Sequence, residues 1–308
     1  MRVFVAGATG AIGRPLVSRL VAAGHEVTGM TRSEAKKALL EDLGAVPVVA
    51  DALEPDAVAE AVATARPDVI VHELTAIEQL NPRNFDRDFA MTNRLRTDGT
   101  ANLLSAGQAV GVQRFVAQSH ILAYARGGRA VKTEADPVET SPVREMRQAV
   151  AAIRYLEDAV LGARWTEGIV LRYGHFYGPG TSMAPGGQFP EMVRKRKFPI
   201  VGDGSAVWSF IHVDDGAAAT AAAVERGRRG IYNIVDNDPA AISAWLPALA
   251  RELGAKDPMR VPRWIGRLFA GEAGVAMMTE FRGASNAKAR QELGWEPAHP
   301  SWRQGFTR

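Results

Sequence analysis

A chain of 308 residues can bury a large core, and its formal charge of +3, from 37 Lys and Arg against 34 Asp and Glu, is scattered instead of forming one basic stripe. That argues against nucleic acid as the main partner, and the one short basic run, Arg194-Lys195-Arg196-Lys197, reads as a solvated helix end. The absence of cysteine removes disulfides, thiolate nucleophiles and thiolate metal sites, no metal is called for, and no apolar run reaches the roughly 18 residues of a membrane span.

Met1-Arg2-Val3-Phe4-Val5 runs straight into a glycine turn and not a signal peptide, so the expected location is cytoplasmic. From there, strand-length apolar runs alternate with helix-length segments. The runs are Val3-Phe4-Val5, Glu26-Val27-Thr28, Val46-Pro47-Val48-Val49, Val69-Ile70-Val71, Arg114-Phe115-Val116-Ala117 and Gly168-Ile169-Val170-Leu171. Continuous apolar strands alternating with helices mark repeated βαβ units, which predicts an α/β fold, a Rossmann-type doubly wound parallel sheet. After Arg172 the pattern loosens into a Gly/Pro-rich stretch, and strand-like pieces return at Trp208–Val213 and Gly230–Val235. The expected organisation is an NAD(P)-binding domain over 1–175, rejoined by 207–235, with a smaller C-terminal substrate lobe built from 176–206 and 236–308.

The strongest local motif, Gly7-Ala8-Thr9-Gly10-Ala11-Ile12-Gly13, follows the first strand and opens a helix through Leu16, Leu20 and Val21. The first glycine permits a tight turn, the second a close approach to pyrophosphate, and the third the packing of helix on strand. NAD-selective sites of this kind end the second strand in a carboxylate for the ribose hydroxyls; here stand Thr31, Arg32 and Ser33. A guanidinium suits a 2′-phosphate, so NADP(H) is favoured while NAD(H) stays open.

Further pieces follow in order: Asp51-Ala52, His72-Glu73-Leu74-Thr75-Ala76, Gly99-Thr100-Ala101-Asn102-Leu103-Leu104, Gly111-Val112-Gln113-Arg114-Phe115-Val116, Leu171-Arg172-Tyr173, Tyr177-Gly178-Pro179-Gly180, Gly202-Asp203-Gly204, Phe210-Ile211-His212-Val213-Asp214-Asp215 and Glu292-Leu293-Gly294-Trp295-Glu296-Pro297. The ordered set resembles the extended short-chain dehydrogenase/reductases, the NAD-dependent epimerase/dehydratase family, from Met1 to about Phe306. The resemblance implies that Asp51 and Ala52 contact adenine, that Leu74, Thr75 and Ala76 line the cofactor, and that Gln118, Tyr173 and His175 lie beside the nicotinamide.

The resemblance also exposes a departure. Such enzymes usually work through Tyr-x-x-x-Lys on the helix after the fifth strand, the lysine lowering a phenol pKa of about 10. None of the five tyrosines here has a lysine four residues later. Aligning the helix Ala149–Leu161 on Leu156-Glu157 puts Ala149 and Ile153 at the two positions and turns Tyr155 away from the cofactor. The fifth-strand corner offers Ser119, His120 and Tyr124 as catalytic candidates instead, with the His120 imidazole as a replacement proton donor or as a packed strand-end histidine. Where nucleotide-sugar enzymes place an arginine for the diphosphate, this chain has Trp208. Trp208 and Tyr177 are therefore expected to contact an apolar or aromatic substrate. The late segment Trp264, Leu268, Phe269, Met277, Met278 and Phe281 reads as pocket wall or lobe core.

Three functions fit. One is an NADP(H)-binding oxidoreductase of a small carbonyl or hydroxyl compound; another an epimerase, dehydratase or isomerase retaining the nicotinamide; the third a non-catalytic dinucleotide sensor. The expected partners are a small-molecule substrate and a second copy in a homodimer, with neither nucleic acid nor membrane.

Overall fold

The apolar runs pair as one seven-stranded sheet in a computed structural model that describes residues 1–77 and 80–306. Its strands are β1 Arg2–Ala6, β2 Glu26–Thr31, β3 Val46–Val49, β4 Val69–His72, β5 Arg114–His120, β6 Glu167–Tyr173 and β7 Gly230–Ile234. All pair in parallel, in the spatial order β7-β6-β5-β4-β1-β2-β3. The order reverses at β1, where Val3 sits between Val27 and Val69, so the carboxyl ends of β1 and β4 open the crevice in which sheets of this kind bind ligands.

Both faces of the sheet are covered, which is why its central strands carry no polar alternation. Helices α1 Gly13–Ala22, α2 Pro55–Ala65, α3 Thr100–Val110, α4 Arg147–Gly162 and α5 Val213–Arg226 supply the cover. Val3 and Val5 point to the α1 and α5 side, packing with Leu16, Leu20, Ala217 and Ala223. Phe4 points the other way, into a core shared with Val58 and Val62 of α2, Leu103 of α3, and Leu156 and Val160 of α4. On α4, Ala149 and Ile153 are buried and Tyr155 is 45% exposed, the orientation expected from the helical turn.

A second core gathers Phe189, Trp208, Phe210, Trp245, Trp302 and Phe306, with helix α6 Ile242–Glu252 packed on it through Trp245, Leu246 and Leu249. Helix α7 Arg263–Thr279 is broken at Gly271, whose φ of 69° no helical residue adopts. The kink splits the late apolar segment: Met277 and Met278 join the core, whereas Trp264, Leu268 and Phe269 on the first half are exposed. Among the described residues, no helix is long and apolar enough to cross a membrane.

Candidate active site

The glycine turn forms as the motif demands. Gly7 has φ +94°, and a Cβ there would lie 2.7 Å from the Glu73 carbonyl oxygen, while a Cβ on Gly13 would lie 2.1 Å from the Gly7 oxygen. Helix α1 therefore starts hard against β1, with Ile12 at its cap, no side-chain cap bond and no acidic residue in its first turn. Its free N–H groups and dipole suit a phosphate, and the exposed Arg14 adds a positive charge at the same end. This is the fit expected for the pyrophosphate of a dinucleotide.

The other strand ends bring the remaining cofactor candidates to one edge. After β2, Thr31 is buried with its hydroxyl accepting from the Ser33 N–H at 3.2 Å, and Arg32 is exposed. After β3, the Asp51 carboxylate accepts from the Leu53 N–H at 3.0 Å, and the Ala52 carbonyl accepts from Asn102 at 2.9 Å. After β4, the Leu74 N–H donates to His72 and the Ala76 N–H to Thr92, which leaves Thr75 exposed between them. Gln118 lies half-buried near the end of β5, two residues before His120.

The corner between β5 and β6 holds a narrow cleft of about 10 Å³, room for no more than a water, lined by His120, Ile121, Leu122, Tyr124, His175, Phe281 and Arg282. His120 and His175 meet edge to face, 5.2 Å between ring centres. His120 Nδ1 accepts the Leu122 N–H at 3.0 Å, so the ring proton sits on Nε2 and can be donated. Burial pushes the His120 pKa down to about 3, with the Arg96 cation adding to the effect. Burial and His120 hold His175 well below the ordinary histidine value. Both rings are neutral near pH 7. A larger polar depression by the kink of α7, lined by Asn81, Arg144, Glu145 and Arg267 among others, includes none of the strand ends.

Four sequence candidates are placed differently from expectation. Ser119 alternates to the opposite face of β5 from His120 and donates to Glu157 Oε1 at 2.6 Å, so it does not enter the cleft. The Tyr124 ring lines the cleft, but its hydroxyl donates to Asn233 at 2.7 Å, and burial raises its pKa to about 12 despite the Arg172 guanidinium 4.6 Å above the ring. Trp208 is buried behind His175, stacked on it at 3.9 Å, and gives its indole N–H to the Met277 carbonyl. Tyr177 packs edge-on against His212 and Phe306. Neither Trp208 nor Tyr177 lines the cleft, because the aromatic core around Trp245 and Phe306 absorbs both. Phe281 is the member of the late apolar segment that does line it.

Tyr173, which the resemblance sets beside the nicotinamide, donates from a buried hydroxyl to Glu73 Oε1 at 2.9 Å and also bonds Thr220. The parts played by Glu73, His72 and Arg96 were not singled out in the sequence. Burial pushes Glu73 up to about 8, against the hydrogen bonds from Tyr173 and Thr220, so beneath the glycine turn stands a protonated carboxyl. Between the short helix Ala90–Arg94 and α3, residues Leu95–Gly99 form a π-helical turn, a geometry frequent at functional sites. His72 holds it in place, Nε2 lying 3.2 Å from the Leu95 carbonyl and 3.1 Å from the Thr100 hydroxyl. Arg96 projects from this turn. Its legible signal was position: Phe85, Phe89, Thr92, Arg96, Thr100 and Leu103 are all buried at helical spacing, and one of them is charged.

The match to known proteins agrees with this geometry. The description "NAD dependent epimerase/dehydratase family" fits residues 3–235. The chain belongs to that family. Across its full length and the full length of the relative, it is 43% identical to a 3-diazoavenalumate denitrifying reductase from a Streptomyces species. It is 29% identical to a farnesyl-dihydroquinoline-oxide ketoreductase from Stigmatella aurantiaca, over 83% of this chain and 74% of that protein. Among solved structures it resembles UDP-glucose 4-epimerase from Thermotoga maritima (TM-score 0.79, 21% identity, 99% of this chain and 96% of that one). It also resembles the dTDP-glucose 4,6-dehydratase DesIV from Streptomyces venezuelae (TM-score 0.78, 23% identity, 100% and 95%). This family member is an enzyme, an NAD(P)-dependent oxidoreductase.

Proposed function

We propose that the enzyme is an NADP(H)-dependent reductase of a small aromatic compound, delivering hydride to a centre that needs no proton from the protein. The observation that carries this reading is a corner without a proton donor that titrates near pH 7. The family's phenol and ammonium positions are Ala149 and Ile153, both buried and apolar, and the nearest titratable rings, His120 and His175, do not charge near pH 7. Tyr124 and Tyr173, the remaining hydroxyls, are tied to Asn233 and Glu73.

A bound reduced nicotinamide supplies the hydride. The chain's own part is positioning: the glycine turn and Arg14 hold the phosphates, Arg32 meets the 2′-phosphate, and His120, His175 and Phe281 form the wall against which a flat substrate ring lies. The relative named for denitrifying a diazo compound suggests the first substrate class to test. An aryl diazonium carbon that accepts hydride forms a C–H bond as the C–N bond breaks and dinitrogen leaves with the bonding pair. That exchange balances with no protein acid.

The test is incubation of the pure enzyme with cofactor deuterated at the nicotinamide C4 and a panel of aryl diazo compounds and aryl ketones. Stoichiometric cofactor oxidation, gas release and deuterium at the former C–N carbon are the expected result. Turnover of ketones alone would reject the diazo class, and product without net cofactor oxidation would reject the reductase.

A further inference from the structure

Arg96 is 5% exposed, and its buried Nη1 has no hydrogen-bond partner. One turn earlier on the same helical path, neither amide atom of the buried Asn93 has a partner. Such groups are costly to bury alone, and a guanidinium most of all. The neighbouring carboxylate whose charge acts on Arg96 is Glu157, and it is already engaged by Ser119 and by two nitrogens of Arg172. The turn that carries Arg96 is tied to the end of β4, His72 Nε2 lying 3.2 Å from the Leu95 carbonyl, so Arg96 stands at the carboxyl edge of the sheet, where its charge also lowers the pKa of His120. The one carboxylate whose charge reaches Arg96 is thus already shared with Arg172 in a bidentate pair.

We infer that Arg96, assisted by Asn93, takes an anionic oxygen of the substrate, a carboxylate or phenolate, and thereby orients the aromatic ring at the carboxyl edge of the sheet. The inference rests on the reading that a small aromatic compound is reduced here. The cofactor's phosphates are a second source of anionic oxygen, but their cradle is the start of α1 after β1, while Arg96 acts on β5. The ligand therefore brings the counter-charge that the folded chain leaves out, and a neutral isostere does not.

The test measures binding without turnover, so that it stands or falls separately from the reductase reading. Wild type and the variants Arg96→Met, Arg96→Lys and Arg96→Gln, each saturated with oxidised cofactor, are titrated calorimetrically with cinnamate and with cinnamamide. Wild type should bind the acid at least about tenfold more tightly than the amide, as expected for a charge-assisted contact. Met and Gln should erase that preference, and Lys should keep part of it. The affinity for NADPH should change less than about threefold, and Arg96→Met should raise the melting temperature of the ligand-free protein by at least about 2 °C, because an unpaired buried cation has gone. Equal binding of acid and amide by wild type, or no binding of cinnamate, overturns the inference. So does a tenfold loss of NADPH affinity, which would give the guanidinium to the cofactor. A lowered melting temperature in both Met and Gln would make Arg96 a structural strut and overturn it as well.

Discussion

Glu157 receives Arg172 along one edge of the guanidinium, Oε1 from Nε at 2.8 Å and Oε2 from Nη2 at 2.5 Å, with the two side chains 5% and 2% exposed. The pair joins α4 to β6 directly under the cleft. Removing one charge from such a pair leaves the other buried and uncompensated. Glu157→Gln should therefore cost about 3–5 kcal/mol in urea unfolding. Ser119→Ala removes only a hydrogen bond to the same carboxylate and should cost about 1 kcal/mol, with turnover within about threefold of wild type. A Ser119→Ala enzyme with turnover reduced a hundredfold would restore the serine to the chemistry.

Cofactor choice turns on Arg32. Titration of NADPH and NADH, followed by nucleotide fluorescence, should show tighter binding of the phosphorylated form. Arg32→Ala should remove about 10- to 100-fold of that preference, the size of one charge-assisted contact, while leaving NADH affinity nearly unchanged. A variant that keeps the full preference contradicts the assignment.

Glu73 makes stability depend on pH in a defined direction. Its folded pKa of about 8 lies above the ordinary 4.5, so between these values the folded chain holds a proton that the unfolded chain has lost. Stability then falls as pH rises from about 4.5 toward 8. Buried His72, held down at about 4 from 6.5, works oppositely below neutrality, its contribution being lost as pH falls through that window. Glu73→Gln keeps an acceptor for Tyr173 and removes the ionisable group. Urea midpoints across this range should show a flatter profile for the variant, with a gain of ~2–4 kcal/mol over wild type at pH 8. Parallel profiles would mean that the carboxyl is ionised in the folded chain.

The turnover profile should carry no histidine titration between about pH 5 and 7. His120 titrates near 3 and His175 also lies below the ordinary value, so neither changes charge in that window. Under the hydride-only reading, His120→Phe should retain turnover within about tenfold, since it keeps a flat ring in the cleft. A step near pH 6.5, or a loss of ~10²-fold, would identify the imidazole as a general acid. Tyr155→Phe should have no measurable effect, as that ring is on the outer face of α4.

Much of the fold was readable because parallel strands buried on both faces advertise themselves: each of the six apolar runs became a sheet strand, most of them extended by one to three residues. The glycine turn was equally legible, since Gly7 and Gly13 answer to contacts within a few residues of themselves or with the adjoining β4. The orientations in the site were harder. Ser119 and His120 are neighbours in sequence, and only the pleat and the position of Glu157, 38 residues away, decide which of them faces the cleft. Trp208 reads as an exposed aromatic wall until Met277, 69 residues later, accepts its N–H. Partners this distant leave no local pattern, and the burial of Arg96 was visible only as a charge on an otherwise buried helical stripe.

The buried guanidinium of Arg96 also bears on what position 153 can hold. Restoring the family's reactive pair would take a phenol at Ala149 and an ammonium at Ile153, on a helix packed against the π turn. The ammonium would add a cation beside Arg96, whose carboxylate neighbour Glu157 is already committed to Arg172. Introduced alone, it meets repulsion and a desolvation cost; removing Arg96 first gives up whatever that charge holds. So long as Arg96 stays buried beside this helix, an ammonium at position 153 meets a like charge, and the two cations exclude one another.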